Sequence, residues 1–107
     1  YMERHLLGHI EGVWVSRSED LERLMLRVSR RCGFNVVAKA FHQFEPQGTT
    51  GVLVLAESHF SAHTYPEKNM IYIDVFCCAK NFDPEFCGRV IEEEFSAHKA
   101  TWQTIYR

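Results

Sequence analysis

The segment from Leu55 to Glu67 holds the side chains of this 107-residue sequence that look most capable of chemistry. Ser58 lies between Glu57 and His59, and His63 follows on the same segment. A serine hydroxyl is a potential nucleophile, and a histidine with a pKa near neutrality is a potential base for it. A hydrolase-type nucleophile turn needs Gly-x-Ser-x-Gly, and no glycine flanks Ser58. That class of site is therefore excluded.

A metal site is also not expected here, although His59 and His63 have the spacing of a helical metal-binding pair. The residues around them favour extended chain instead: Phe60, Thr64, Tyr65 and Pro66. On a strand the two imidazoles would lie about 13 Å apart, at ~3.3 Å per residue. A zinc ion binds nitrogen at ~2 Å, so the pair cannot share one.

The hydrophobic pattern predicts the elements that hold this segment in place. Ser18 is a typical helix-capping residue before an amphipathic stretch, and Gly33 marks its end. The apolar run after Gly51 is typical of a strand buried on both faces. The predicted elements are a strand over 5–15, a helix from Ser18 to Gly33, strands over 34–44, 51–56 and 70–76, a helix after Asp83, and a strand over 100–106.

This order, β-α-β-β-β-α-β, predicts an α+β fold. We expect a two-layer sandwich in which two helices cover one face of an antiparallel sheet. Residues 1–107 suffice for a single domain but leave little margin of stability, which dimerisation would increase. The second face of the sheet would then need a partner.

Composition narrows the class of protein further. The formal net charge of -2 gives no broad basic surface, so we expect no nucleic-acid partner. No apolar run approaches the ~20 residues of a membrane span, and the first residues lack the apolar core of a signal peptide. The four cysteines form no Cys-x-x-Cys pair and are expected to be reduced thiols. These features predict a cytoplasmic protein without a membrane partner.

Several motifs, in order and spacing, resemble one known family. They are Arg4-His5-Leu6, the segment Phe41–Gly51, the segment Glu57–Glu67, and Asp74-Val75-Phe76-Cys77-Cys78. The chain resembles the small bacterial and archaeal S-adenosylmethionine decarboxylases over about residues 4–95. Members of that family are proenzymes that cut themselves to make a covalent pyruvoyl cofactor.

The resemblance implies where self-cleavage occurs. The processing serine of the family falls on Ser58, so the bond cut is Glu57-Ser58. Cleavage then gives a β chain of residues 1–57 and an α chain of residues 58–107, with the pyruvoyl group formed from Ser58.

The resemblance also assigns three further reactive side chains. The base used in processing falls on His63, and its helper hydroxyl, usually a serine, falls on Thr50. The proton donor of decarboxylation falls on Cys78, although Cys77 and Ala79 replace the usual Thr and Gly around it. We expect Cys77 itself to be a small buried apolar residue.

The substrate implied by the resemblance is S-adenosylmethionine, whose decarboxylated form supplies aminopropyl groups for spermidine. Two rings that sandwich its adenine fall on Phe44 and Tyr65, and the carboxylate for its ribose hydroxyls falls on Glu67. Phe60 occupies a position that lines the site and is usually aliphatic. A phenol ring at position 65 still stacks on adenine and favours a sulfonium cation.

The resemblance also bears on the oligomeric state, and two alternative functions remain open. In the family, the uncovered sheet face packs against a second protomer, so the resemblance implies a homodimer of cleaved protomers. One alternative keeps the cofactor but changes the substrate to arginine or ornithine. The other is a non-catalytic paralogue or partner subunit of an active homologue.

Overall fold

The computed structural model describes residues 3–107 and has the element order β-α-β-β-β-β-α-β. The elements are β1 (Arg4–Glu11), α1 (Ser18–Cys32), β2 (Val36–Gln43), β3 (Thr49–Leu55), β4 (Ser58–Tyr65), β5 (Met70–Cys77), α2 (Pro84–Glu94) and β6 (Lys99–Tyr106). The predicted α+β class is confirmed. The segment Ser58–Tyr65, predicted only as extended chain, is a strand of its own, so the sheet has one strand more than expected.

The six strands form a single sheet in the order β2-β3-β4-β5-β1-β6, and every neighbouring pair is antiparallel. Strands β4 and β5 lie in the middle of this order, and β2 and β6 form its edges. The pairing of β3 with β4 places Leu55 opposite Ser58, so only Ala56 and Glu57 connect the two strands. The peptide bond predicted to be cut therefore lies in a tight turn.

The two faces of the sheet differ because side chains alternate along each strand. One face is covered by the helices and carries fully buried residues such as Leu53, Phe60 and Ile73. We call the other the open face. It carries the side chains of His5, Val54, His59, His63 and Tyr72.

Helix α1 packs an apolar stripe onto the sheet and ends as predicted. Its buried stripe includes Leu21, Met25 and Val28, and Gly33 follows in the left-handed conformation at φ 75°. The prediction that Ser18 caps this helix is wrong, because the residue in the capping position is Arg17 and its side chain makes no capping bond. Ser18 Oγ lies 2.7 Å from the Thr49 hydroxyl instead. A buried hydroxyl partner across the core takes the place of the local cap.

Helix α2 begins as its sequence predicts. Asp83 is the N-cap and accepts a hydrogen bond from the Phe86 backbone N–H at 3.2 Å, while Pro84 occupies the first turn. Cys87 and Ile91 lie on its buried face. Neither helix in this described part of the chain is long and apolar enough to cross a membrane.

Candidate active site

The turn between β3 and β4 holds Ser58 in a strained backbone conformation. Its φ of 152° lies in a region that residues with a side chain rarely adopt. Such outliers cost about 1–3 kcal/mol and persist only where surrounding contacts enforce them. On one side of the turn, the Ala56 N–H donates to the Asn35 carbonyl at 2.8 Å. Strain is thus concentrated at the residue predicted to attack its own preceding peptide bond.

Asn35 also fixes the side chain of Glu57. Its backbone N–H and its side-chain amide donate to the two carboxylate oxygens at 3.1 Å and 2.6 Å. Desolvation raises the pKa of Glu57, but the hydrogen bonds from Asn35 outweigh it and leave that pKa below its ordinary value. A charged, doubly held Glu57 therefore anchors the turn on its N-terminal side.

The end of β5 supplies a hydrogen-bond donor to the carbonyl of the same bond. Ser58 pairs with Cys77 in the sheet, and the next backbone N–H, that of Cys78, donates to the Glu57 carbonyl oxygen at 2.9 Å. Attack on this carbonyl would put negative charge on that oxygen, and a fixed N–H donor stabilises such charge. We call Glu57, Ser58 and Cys78 the scissile cluster.

The two adjacent cysteines have different surroundings. Cys77 is buried, as predicted, and burial raises the pKa of its thiol. Cys78 is exposed at the start of the loop that follows β5. Of the two thiols, that of Cys78 is the more exposed.

Arg4 holds this loop against the sheet. Its guanidinium donates to the carbonyls of Phe82, Ala79 and Lys80 at 2.6, 2.8 and 3.0 Å. A planar guanidinium with several N–H donors can bind several carbonyl oxygens at once. The ammonium group of a lysine cannot reproduce this arrangement. Arg4 therefore positions the backbone next to Cys78.

We expect Arg4→Gln to lower the free energy of unfolding by about 2–3 kcal/mol, because the three loop carbonyls would lose the charged guanidinium that donates to them. The measurement is chemical unfolding of the purified chain. Arg89→Gln is the matched control, since Arg89 is exposed on α2 and its loss should stay within about 0.5 kcal/mol. Equal stability of the two variants would contradict the role given to Arg4.

The second group of predicted residues lies on the open face, around His63. Thr50 Oγ1 is 2.5 Å from His63 Nδ1. The rings of Tyr65 and Phe44 have their centres 4.6 Å and 5.7 Å from the imidazole centre. These residues, except Thr50, line a shallow cavity of about 170 Å³ together with Glu67. We call this group the histidine cluster: Phe44, Thr50, His63, Tyr65 and Glu67.

One chain does not bring the scissile cluster and the histidine cluster together. Ser58 and His63 are five residues apart on β4, which corresponds to about 16 Å at ~3.3 Å per residue. The hydroxyl and the imidazole of the same chain therefore cannot exchange a proton directly.

Phe60 does not belong to the histidine cluster. It is 0% exposed in the core between the sheet and the helices. Because it alternates with its neighbours along β4, it faces away from the cavity of the histidine cluster. The expected contact of Phe60 with a substrate is replaced by a packing role beneath the strand.

A comparison with known families agrees with the motifs on which these clusters were predicted. Residues 4–107 match the family model described as S-adenosylmethionine decarboxylase. The chain belongs to this family.

Individual members of the S-adenosylmethionine decarboxylase family are similar over most of the chain. A Clostridium botulinum protein named S-adenosylmethionine decarboxylase proenzyme is 36% identical over 110 residues, covering 100% of this chain and 95% of that protein. A Symbiobacterium thermophilum protein of the same name is 43% identical over 84 residues, covering 76% of this chain and 64% of its own. The crystal structure of the adenosylmethionine decarboxylase from Aquifex aeolicus superposes with a TM-score of 0.89 at 28% identity, covering 99% of this chain and 90% of that one.

In this S-adenosylmethionine decarboxylase family member, three contributions to the site were not predicted. Asn35 gave no signal because an asparagine after a helix end is an ordinary turn residue. Arg4 was recognised within a motif, but its role depends on carbonyls more than 70 positions away. The N–H of Cys78 is backbone and has no side-chain signature. Among the described residues, no group of three or more His, Cys, Asp or Glu side chains could hold a metal ion.

Proposed function

We propose that this chain is a self-processing, pyruvoyl-dependent decarboxylase that acts on S-adenosylmethionine and supplies decarboxylated S-adenosylmethionine for spermidine synthesis. Membership of the family and the names of its relatives support the reaction. The observation that carries the proposal is the Glu57-Ser58 bond, which combines a strained serine with a backbone donor on the carbonyl to be attacked.

Processing begins with the hydroxyl of Ser58. Its oxygen adds to the Glu57 carbonyl carbon while the Cys78 N–H holds the developing negative oxygen. The C–N bond then breaks and leaves Glu57 joined to the Ser58 oxygen as an ester. A base removes the α-proton of residue 58, and the main-chain carboxylate of residue 57 departs, which leaves a dehydroalanine at position 58. Water hydrolyses the imine form of this residue to the pyruvoyl group and ammonia. Residues 1–57 and 58–107 become the β and α chains.

The pyruvoyl group produced in this way supplies an electrophilic carbonyl that binds a substrate amine and accepts the electrons left by departing CO2. The residues around position 58 fit such a group. The exposed thiol of Cys78, next to the strand partner of Ser58, can return a proton to the substrate carbon.

The base for processing is His63 of a second copy of the chain. Because His63 lies about 16 Å along β4 from Ser58 of its own chain, by the strand spacing of ~3.3 Å per residue, a single protomer is incomplete. In a two-fold dimer each contact occurs twice, so the histidine cluster of one chain can meet the scissile cluster of the other. The Thr50 hydroxyl, 2.5 Å from Nδ1, orients the imidazole.

The open face has the composition that a dimer interface needs. Three large apolar side chains on it are between 38% and 43% exposed in the single chain: Val54, Tyr72 and Ile105. Burying them against a second copy removes apolar surface from water, which favours association. We therefore propose a homodimer of cleaved protomers that is packed through this face.

Substrate recognition falls to the histidine cluster. The rings of Phe44 and Tyr65 both lie next to the His63 ring, where they can stack on adenine and stabilise a sulfonium cation. Glu67, on the rim of the cavity, can accept hydrogen bonds from the ribose hydroxyls. No nucleic-acid partner is proposed, and the four free thiols favour a reducing, cytoplasmic setting.

Intact mass and a substrate comparison test this function together. We expect the purified protein to consist of two chains that meet at positions 57 and 58, and to release CO2 from S-adenosylmethionine but not from arginine or ornithine. A single full-length chain without CO2 release would overturn the enzyme assignment. Agmatine or putrescine as product would replace the substrate, and a cleaved homologue that co-purifies with an uncleaved chain would identify a partner subunit.

A further inference from the structure

A cavity of about 440 Å³ lies beside the turn that contains the scissile bond, between the end of α1 and the start of α2. Its lining includes Glu57 and three cysteines, Cys32, Cys77 and Cys87. The proposed reaction uses none of these three thiols. The proposed reaction therefore gives no reason for three thiols to line one cavity.

Two of the three cysteines form a pair. Cys32 is the last residue of α1 and Cys87 lies in the first turn of α2, and both side chains line the same cavity. Cys87 is fully buried, whereas Cys32 is half-buried at the edge of the core. The pair therefore has one thiol that small reagents can reach and one that is enclosed in the core.

The two thiols also differ in acidity. The hydrogen bond from Cys87 lowers the pKa of Cys32 against the effect of desolvation, and the charge of Arg31 adds to the lowering. The same hydrogen bond, together with burial, raises the pKa of Cys87. Cys32 is also the more exposed of the two, and oxidants react with accessible thiolates, so Cys32 is the thiol that reacts first.

We propose that Cys32 and Cys87 form a reversible disulfide when the protein meets a peroxide. The Cys32 thiolate attacks one peroxide oxygen, the O–O bond breaks, and a sulfenic acid results, while the leaving hydroxide takes up the proton that the thiol had lost and becomes one water. The Cys87 thiol then displaces the sulfenic oxygen as a second water and closes the S–S bond. Two thiols are oxidised by two electrons, and one hydrogen peroxide is reduced to two waters.

The local structure can accommodate this bond. Closing the two thiols to an S–S distance of about 2.05 Å requires a movement of one of the two helix ends. Gly33 follows Cys32 directly, and a side chain placed there would have no atom within 4 Å, so the end of α1 has free space around it. Cys77 is less suited because it lies on a central strand of the sheet.

The self-cleavage in the proposed function gives this disulfide a structural role. Cys32 belongs to residues 1–57 and Cys87 to residues 58–107, so the bond would rejoin covalently the two chains that self-cleavage separates. In a reducing cytoplasm disulfides of this kind are transient and respond to oxidants. The bond would hold the cleaved protomer together under oxidative conditions.

Peptide mapping tests the proposal. Reduced protein is treated with hydrogen peroxide, its free thiols are alkylated, and it is digested with trypsin. Cleavage after Lys and Arg gives peptides 32–39 and 81–89 with one cysteine each, while Cys77 and Cys78 share peptide 69–80. We expect peptides 32–39 and 81–89 to be linked, and a non-reducing gel to show one full-length band that separates into two on reduction.

Variants distinguish this disulfide from other outcomes. Cys32→Ser should abolish the link, and Cys77→Ser should retain it. The Ser58→Ala chain, which we expect to remain uncleaved, should show the same linked peptides, so a failure of processing does not count against the disulfide. Alkylation of both Cys32 and Cys87 after peroxide treatment, or a link from either of them to peptide 69–80, would overturn the proposal.

Discussion

The Ser58→Ala chain is expected to remain a single full-length polypeptide and to release no CO2 from S-adenosylmethionine. Alanine has no hydroxyl to add to the Glu57 carbonyl, and without that step neither the cleavage nor the pyruvoyl group can arise. The strained backbone and the Cys78 N–H remain in place, so the change removes the nucleophile alone. Intact mass measures the cleaved fraction, which should fall from nearly complete to none.

Ser61→Ala is the matched control for this variant. Ser61 lies three residues after Ser58 on the same strand, and it belongs to neither cluster. Its loss should leave cleavage and CO2 release close to those of the unchanged protein. If the Ser58→Ala chain were cleaved at the normal position, or if it decarboxylated S-adenosylmethionine, the proposed reaction would be wrong.

Local sequence signals predicted much of the fold because local chemistry decides those features. Gly33 ends α1 in a left-handed conformation that favours glycine. Asp83 caps α2 because its carboxylate accepts a hydrogen bond from a backbone N–H only three residues further on. Ser18 looked equally suitable as a cap, yet its hydroxyl is bound to Thr49, which lies 31 positions away. A tertiary partner of this kind cannot be found from a window of neighbouring residues.

The arrangement of the site was harder to predict for a related reason. The strand spacing that separates His59 from His63 also separates Ser58 from His63, but this follows only once β4 is known to be a continuous strand. The burial of Phe60 likewise depends on which face of β4 the helices cover. Motif similarity predicted which residues form the site, whereas the sheet determines which of them one chain can bring together.

The separation of the two clusters leads to a prediction about mixed dimers. Neither a Ser58→Ala chain nor a His63→Ala chain should be cleaved by itself, because each homodimer lacks one component at both sites. In a dimer of one chain of each kind, the serine of the His63→Ala chain meets the imidazole of the Ser58→Ala chain. We expect only the His63→Ala chain to be cleaved there, with about half the CO2 release of the normal dimer because one of the two sites is complete.

The measurement uses chains that carry different affinity tags, purified over both tags and analysed by intact mass. The control pairs an unchanged chain with a chain that carries both Ser58→Ala and His63→Ala. This dimer contains the same two substitutions, but both lie on one chain. If the site is shared, both positions are then broken and the unchanged chain of that dimer stays uncleaved. If each chain processed itself, the unchanged chain would be cleaved in the control and neither chain would be cleaved in the first dimer. Opposite results in the two dimers therefore decide whether the second copy completes the site.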